Sequence, residues 1–198
     1  MNKEHILLCV MGESSSGKDS LISKLCERTG HTAICSYTTR PRRDGESETH
    51  IFVDDTVYEE MLAEGKIAAY TEISGYKYWT TVDQLYSNSY YIIDPAGVKF
   101  LKSLNLPNLR IVTVYINVPE SIRKERAMRR GDKLDVYRRR CLSEREQFRQ
   151  MKKDMDVDYV VSNVDFATAF SVLKWIATAE GLFINKEDTT EWLEFVLI

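Results

Sequence analysis

A chain of 198 residues with 43% hydrophobic and 29% charged side chains is long enough for one good core with a small inserted lobe, and short for two full domains. A formal net charge of −3 argues against a wholly polycationic nucleic-acid binder, and no run approaches the about 18 apolar residues of a membrane span. The chain passes from Met1-Asn2-Lys3-Glu4-His5 straight into an apolar run, so no signal peptide is expected and the setting reads as cytoplasmic. Cys9, Cys26, Cys35 and Cys141 are scattered with no close pair, which argues against a zinc site or a disulfide framework and for small buried or half-buried side chains.

The first predicted strand covers Ile6 to Met11, and Leu21 to Cys26 fits an amphipathic helix. Between them stands Gly12-Glu13-Ser14-Ser15-Ser16-Gly17-Lys18-Asp19-Ser20, with the glycine spacing and the lysine of a P-loop. Glycines let the backbone turn tightly around an anion, successive N–H groups point inward, and the helix adds the positive end of its dipole. The loop therefore predicts a nucleoside triphosphate site, with Lys18 reaching the terminal phosphates. One position departs from the pattern: Asp19 stands where Ser or Thr is asked for, with Ser20 behind it. A carboxylate is itself a magnesium ligand and Ser20 offers a hydroxyl, so both are candidate metal contacts.

A strand over Thr32 to Tyr37 is expected next. From Thr38 to about Thr81 the segments become short, tyrosine-rich and punctuated by Pro41, Gly45, Gly65 and Gly75, as in an inserted lobe. Strand and helix then alternate: Tyr90 to Ile93 ending at Asp94, a helix from about Val98, Ile111 to Ile116, and Tyr159 to Val161. That alternation predicts a parallel α/β sheet covered on both faces, with ligands at the carboxyl ends of its strands. Asp94, at such an end, is a further candidate for magnesium or its waters.

From Pro119, a first-turn proline, the chain is strongly helical, with a stop at Arg130-Gly131-Asp132 and a second, Arg-rich helix. Pro119 to Lys153 holds thirteen Lys/Arg against six Asp/Glu, and a bound nucleotide suits that surplus better than nucleic acid, given the acidic remainder of the chain. Asp165 to Thr178 is an amphipathic helix with Phe166, Phe170, Leu173 and Ile176 on one face. The tail from Gly181 to Ile198, rich in aromatic and aliphatic residues, is expected to pack on the body or on a second subunit, the latter making a homodimer.

A second group of motifs carries a resemblance. Ser36-Tyr37-Thr38-Thr39-Arg40-Pro41-Arg42-Arg43-Asp44-Gly45-Glu46, His50-Ile51-Phe52-Val53, Ser74-Gly75-Tyr76-Lys77-Tyr78-Trp79-Thr80-Thr81, Asp94-Pro95-Ala96-Gly97-Val98, Arg126-Ala127-Met128-Arg129-Arg130-Gly131 and Asn163 follow the P-loop in order. In this order and at these intervals the chain resembles the guanylate kinases, to about Thr178. The resemblance implies a P-loop kinase fold: a central parallel sheet flanked by helices (about 1–37, 82–118 and 154–180), an acceptor-binding lobe (about 38–81), an Arg-rich helical lid (about 119–153) and an extension (181–198). It implies transfer of the γ-phosphoryl of ATP, with Mg2+, to GMP or a related acceptor. Arg40 and Arg43, with Tyr78, would hold the acceptor phosphate; Ser36, His50 and Thr80 would line its site. Lys18, Arg126, Arg130 and one of Arg139 or Arg140 would act on the transferring group, and Asn163 would lie near the ATP base.

The chain departs from the family where guanine is read. The family glutamate falls at Ala69, and a second family acid falls at Ile92. His50 replaces the usual tyrosine, and Trp79 stands where glycine is usual. Glu72, three residues from Ala69 on an extended segment, faces the opposite side. The acceptor is therefore open between GMP, another (deoxy)nucleoside monophosphate and a phosphorylated sugar, and a non-catalytic protein-binding module of the same fold is the third reading.

Overall fold

The computed structural model describes residues 4–42, 50–73, 75–154 and 156–182. Among them, β1 (His5–Met11), β6 (Tyr90–Ile92), β7 (Leu109–Asn117) and β8 (Tyr159–Ser162) form a parallel sheet in the order β6-β1-β7-β8. Successive residues of a strand face opposite sides, and β1 divides accordingly. Leu8 and Val10 pack with Leu21, Ile22, Leu173 and Ile176, on the side of α1 (Lys18–Thr29) and α7 (Phe166–Ala179). Leu7, Cys9 and Met11 pack with Leu85, Val98, Leu101, Phe148 and Met151, on the side of α3 (Val82–Ser87), α4 (Pro95–Ser103) and α6 (Leu134–Asp154). A strand buried on both faces reads as a continuous apolar run, which Ile6 to Met11 is. Each fully buried Leu, Ile or Val contributes about 1.5–3 kcal/mol relative to exposure, enough to hold the P-loop's two flanking elements in fixed relation.

The second sheet has the order β3-β2-β5-β4, from β2 (Ser36–Thr38), β3 (His50–Phe52), β4 (Ile67–Ile73) and β5 (Tyr76–Thr81). The strand expected over Thr32 to Tyr37 does not join the core sheet. Only an isolated bridge, Ala33 to Tyr90, touches that sheet, and Ser36 to Thr38 pairs instead with β3 and β5. Thr32 to Tyr37 is thus the crossing between the two sheets. On the far side of the second sheet lies α2 (Asp55–Ala63), capped by Asp54, whose side chain accepts from Val57 N. Trp79 explains itself there: fully buried, it stacks on Tyr37 at 5.5 Å, meets Tyr58 edge-on at 5.1 Å and directs its Nε1 at Met61 Sδ.

Two helix starts and one helix face differ from the expected ones. α4 begins at Pro95 rather than near Val98, because Asp94 caps it and proline occupies its first turn. Pro119 is the cap of α5 (Glu120–Arg129) rather than its first residue, and Gly131, at φ +90°, lets the chain leave it. On α7, Leu173 and Ile176 face the core, but Phe166 is exposed and stacks on Phe170 at the rim. Arg43, Ser74 and the tail from Phe183 to Ile198 lie outside the described residues.

Candidate active site

The loop between β1 and α1 has the backbone of an anion cradle. Ser15 (φ 64°) and Gly17 (φ 84°) take left-handed conformations on either side of Ser16, whose N–H donates to Glu13 O at 3.0 Å. Gly17 is the cap of α1 and supplies no side-chain acceptor, so the helix start keeps its positive character for a ligand. Gly12 is required by crowding: a Cβ there would come within 2.5 Å of Ser16 Oγ and 3.1 Å of Ile116 O. At Gly17 it would meet Asn163 Nδ2 at 2.6 Å, on top of the positive φ. Lys18 ends 3.6 Å from the carboxylate of Asp19, and Asp19 and Ser20 are exposed in the first turn of α1.

Basic side chains converge on this loop from α5 and α6. Arg126 donates to Ser16 O (3.3 Å), Asn163 O (2.7 Å) and Val164 O (3.2 Å). Arg130 pairs with Asp132 at 2.5 Å and reaches Ser15 Oγ at 3.4 Å. Arg140 shares Asp132 at 3.4 Å, whereas Arg139 turns to Asp135 on the exposed face of α6. The sequence left open which of the two faces inward; the helix turns Arg140 toward Arg130 and leaves Arg139 in solvent. Asn163 is almost fully buried, and its Nδ2 donates to Ser16 O at 2.7 Å. Its side chain binds the P-loop backbone, and a place near the ATP base is what the resemblance implies for it.

Other residues on this loop were not legible from spacing. The Glu13 side chain is buried and accepts from Tyr115 Oη (2.6 Å) and Lys152 Nζ (2.6 Å), with Arg123 at 3.9 Å. Burial alone would raise its pKa, but those hydrogen bonds and charges prevail and hold it below the usual glutamate value. Glu144 of α6 accepts from Ser14 N (2.7 Å) and Ser14 Oγ (3.2 Å). Burial pushes its carboxyl above the usual value, opposed only in part by Ser14 and the charge of Lys18. The one sequence signal was an acid inside the loop, Glu13, which needs a cation nearby.

The second sheet gathers a separate set of polar side chains. Ser36, Thr38, His50, Phe52, Tyr78 and Thr80 share one face through the β2–β3 and β2–β5 registers. Arg40, only 7% exposed, donates from Nε to Tyr78 Oη (3.1 Å) and from Nη1 to Pro41 O (2.8 Å), with its guanidinium 5.3 Å from the centre of the Phe52 ring. Ser36 Oγ and His50 Nδ1 are 3.1 Å apart, and the His50 ring meets Tyr78 edge-on. Thr80 donates its hydroxyl to Gln84 Oε1 at 2.6 Å, which leaves its oxygen as an acceptor. Ala69 is buried opposite Thr80, while Glu72 pairs in register with Lys77 and accepts from Tyr70 Oη. The bulge of β4 lies between Ile67 and Ala69, before this stretch, so Glu72 keeps the face opposite to Ala69.

Asp94 stands where β6 ends beside β1. Its Oδ1 caps α4 by accepting from Gly97 N at 2.7 Å, and its Oδ2 is buried without a hydrogen-bond partner. Burial raises its pKa, and the N–H groups of Gly97 and Ala96 and the Thr71 hydroxyl offset this only in part. Next to it, a cleft of about 410 Å³ opens between β4, the start of α4 and α6, lined by Thr71, Glu72, Ala96, Glu146, Gln147 and Gln150.

A phosphate loop at the carboxyl end of a parallel strand, with arginines over it and a second sheet presenting an arginine and hydroxyls, defines the P-loop kinase class. The family model described as guanylate kinase matches residues 4–180, and the chain belongs to the guanylate kinase family. It is 31% identical over 193 residues to the guanylate kinase of Legionella pneumophila (strain Paris), covering 91% of this chain and 89% of that protein. It is 30% identical over 191 residues to that of Coxiella burnetii (strain RSA 493 / Nine Mile phase I), covering 92% and 90%. Among solved structures, the guanylate kinase of Anaplasma phagocytophilum superposes with a TM-score of 0.65 at 23% identity, over 91% of this chain and 88% of that one, which bears on the fold alone. No helix among the described residues is long and apolar enough to cross a membrane.

Proposed function

We propose that this protein is an ATP-dependent nucleoside monophosphate kinase that phosphorylates GMP, giving ADP and GDP. The observation that carries the reading is the pairing of the P-loop, Lys18, Arg126, Arg130 and Arg140 on one side with the Arg40–Tyr78 pair on the other. Phosphoryl transfer between two anionic nucleotides needs little covalent help from the protein; it needs the acceptor oxygen in line and the spreading charge neutralised. Lys18 and the loop N–H groups would hold the donor's terminal phosphates. Arg40, preorganised by Tyr78 and the Phe52 ring, would hold the acceptor phosphate with two parallel donors, and Arg43 would join it. Ser36, His50 and Thr80 would contact the rest of the acceptor. Arg130 and Arg140, both held by Asp132, would act on the transferring group, while Arg139 would stay outside. Kinship with proteins named guanylate kinase favours GMP over the other acceptors and over a protein-binding module.

Magnesium fits the residues present. Asp19 and Ser20 at the start of α1 offer hard oxygen ligands, and Asp94 brings a buried oxygen that lacks a partner. When bound, the ion would supply positive charge that offsets the negative charge of the donor phosphates. The scattered placement of Cys9, Cys26, Cys35 and Cys141, with no close pair along the sequence, favours a reducing, cytoplasmic setting.

A coupled assay of ADP release with MgATP, run across GMP, dGMP, AMP, CMP, UMP, dTMP and ribose phosphates, tests the reading. Turnover should be fastest with GMP. Faster turnover with another acceptor would replace GMP, and silence on all of them would refute the kinase.

A further inference from the structure

The P-loop is held at two points, Ser16 and Ser14, and α5 contributes an arginine to each. Ser16 O is bound by Asn163 and Arg126, close to the start of α1. Every polar group of Ser14 goes to α5 or α6, and α6 enters only at this end of the loop. Its N–H (2.7 Å) and hydroxyl (3.2 Å) donate to the two oxygens of Glu144, and its carbonyl accepts from Arg123 at 3.4 Å. The neighbouring Glu13 side chain is bound by Lys152 of the same α6, at 2.6 Å. Glu144, Phe148, Met151 and Lys152 recur at helical spacing, so one face of α6 both packs into the core and grips the loop.

We propose that Glu144 is a positioning residue of the donor site: by binding both donors of Ser14 it fixes the Glu13–Ser16 turn and makes affinity for the triphosphate depend on the seating of α6. The proposal rests on the donor-site reading above. A carboxylate beside an anion site would by itself repel phosphate, so its presence calls for a compensating role. The cluster answers the charge locally. Glu13 and Glu144 stand among Arg123, Lys152 and Lys18. Ordering the loop before ATP arrives lowers the entropy lost on binding, and Glu13 and Ser14, which carry the α6 contacts, lie near its start. α6 also carries Arg140, which meets Arg130 through Asp132, so the helix that presents a cation to the transferring group also sets the loop that receives the donor.

The test measures MgATP affinity by calorimetry, and KM and kcat by the coupled assay, for the full-length protein and its Glu144→Ala and Glu144→Gln variants. Glu144→Ala should weaken MgATP binding by about 10-fold or more, the scale of a hydrogen bond to a charged group, with kcat and the KM for GMP changed by less than about 3-fold. Glu144→Gln keeps an acceptor for Ser14 N and should stay within about 3-fold of wild type. Glu144→Asp, too short to reach Ser14, repeats the alanine test if that variant does not fold. Wild-type affinity in the alanine or aspartate variant would overturn the proposal. So would tighter binding in both Ala and Gln, since Glu144 would then act only through its charge. A wild type that binds MgATP but phosphorylates nothing would refute the proposed function while leaving the calorimetric comparison decisive for Glu144.

Discussion

The P-loop and the face of β2, β3 and β5 both collect anion-binding groups, but the first does so in consecutive residues from Gly12 to Ser20 and the second with side chains spread from Ser36 to Thr80. The loop works mainly through backbone N–H groups, so its requirements are conformational: glycine at positions 12 and 17, a left-handed turn at Ser15, a helix start. On the proposed reading the lobe would work through side chains, so its requirements would be chemical identities at particular places on a sheet. A backbone site tolerates an odd residue such as Asp19 as long as the path survives. A side-chain site changes its ligand when one residue changes, and Ala69, paired with Thr80 on the second sheet, is the departure that bears on it.

Lys18→Ala should lower kcat/KM by on the order of 10³-fold, the scale of losing a preorganised charge at the transferring group, and leave the melting temperature nearly unchanged. A small loss would mean that the backbone cradle alone carries the donor. On the lobe, Arg40→Ala should raise the KM for GMP by about 10–100-fold and spare the KM for MgATP. Equal effects on both substrates would join the two halves into one site. Tyr78→Phe removes one neutral partner of Arg40 and should cost about 3–10-fold in the KM for GMP, visible in the same assay.

The smallest effect concerns stability. Asp94 has a folded-state pKa raised by burial, so its stabilising share is complete below the ordinary carboxylate range and is lost as pH rises through the raised value. Asp94→Asn, which still caps α4, should therefore melt about 2–4 °C higher than wild type near neutral pH, with the gap closing toward about pH 4. Turnover should fall at the same time, because the orphaned oxygen is lost. A variant that melts lower at neutral pH would show that the carboxylate is stabilising.

These differences also decided what the sequence could tell. Gly12, Gly17 and Lys18 were legible because their spacing is fixed by a local backbone path. The core strands were legible because burial on both faces leaves continuous apolar runs. Glu144 was not, since its partner Ser14 lies 130 positions earlier and only the packing of α6 brings them together. Arg139 and Arg140 could not be separated by spacing, because one residue of helical rotation decides between solvent and Asp132. Thr32 to Tyr37 looked like a core strand because alternation marks a strand without naming its sheet. Trp79 looked like an acceptor-site change and is a packing residue, since its parity on β5 turns it to α2.

The most direct measurement of the central claim is to follow ATP and GMP together by 31P NMR in the presence of magnesium. ADP and GDP should appear in equal amounts, and neither should form when Lys18→Ala replaces the wild type. ADP accumulating without GDP, or GDP forming with the Lys18→Ala protein at the wild-type rate, would contradict the account.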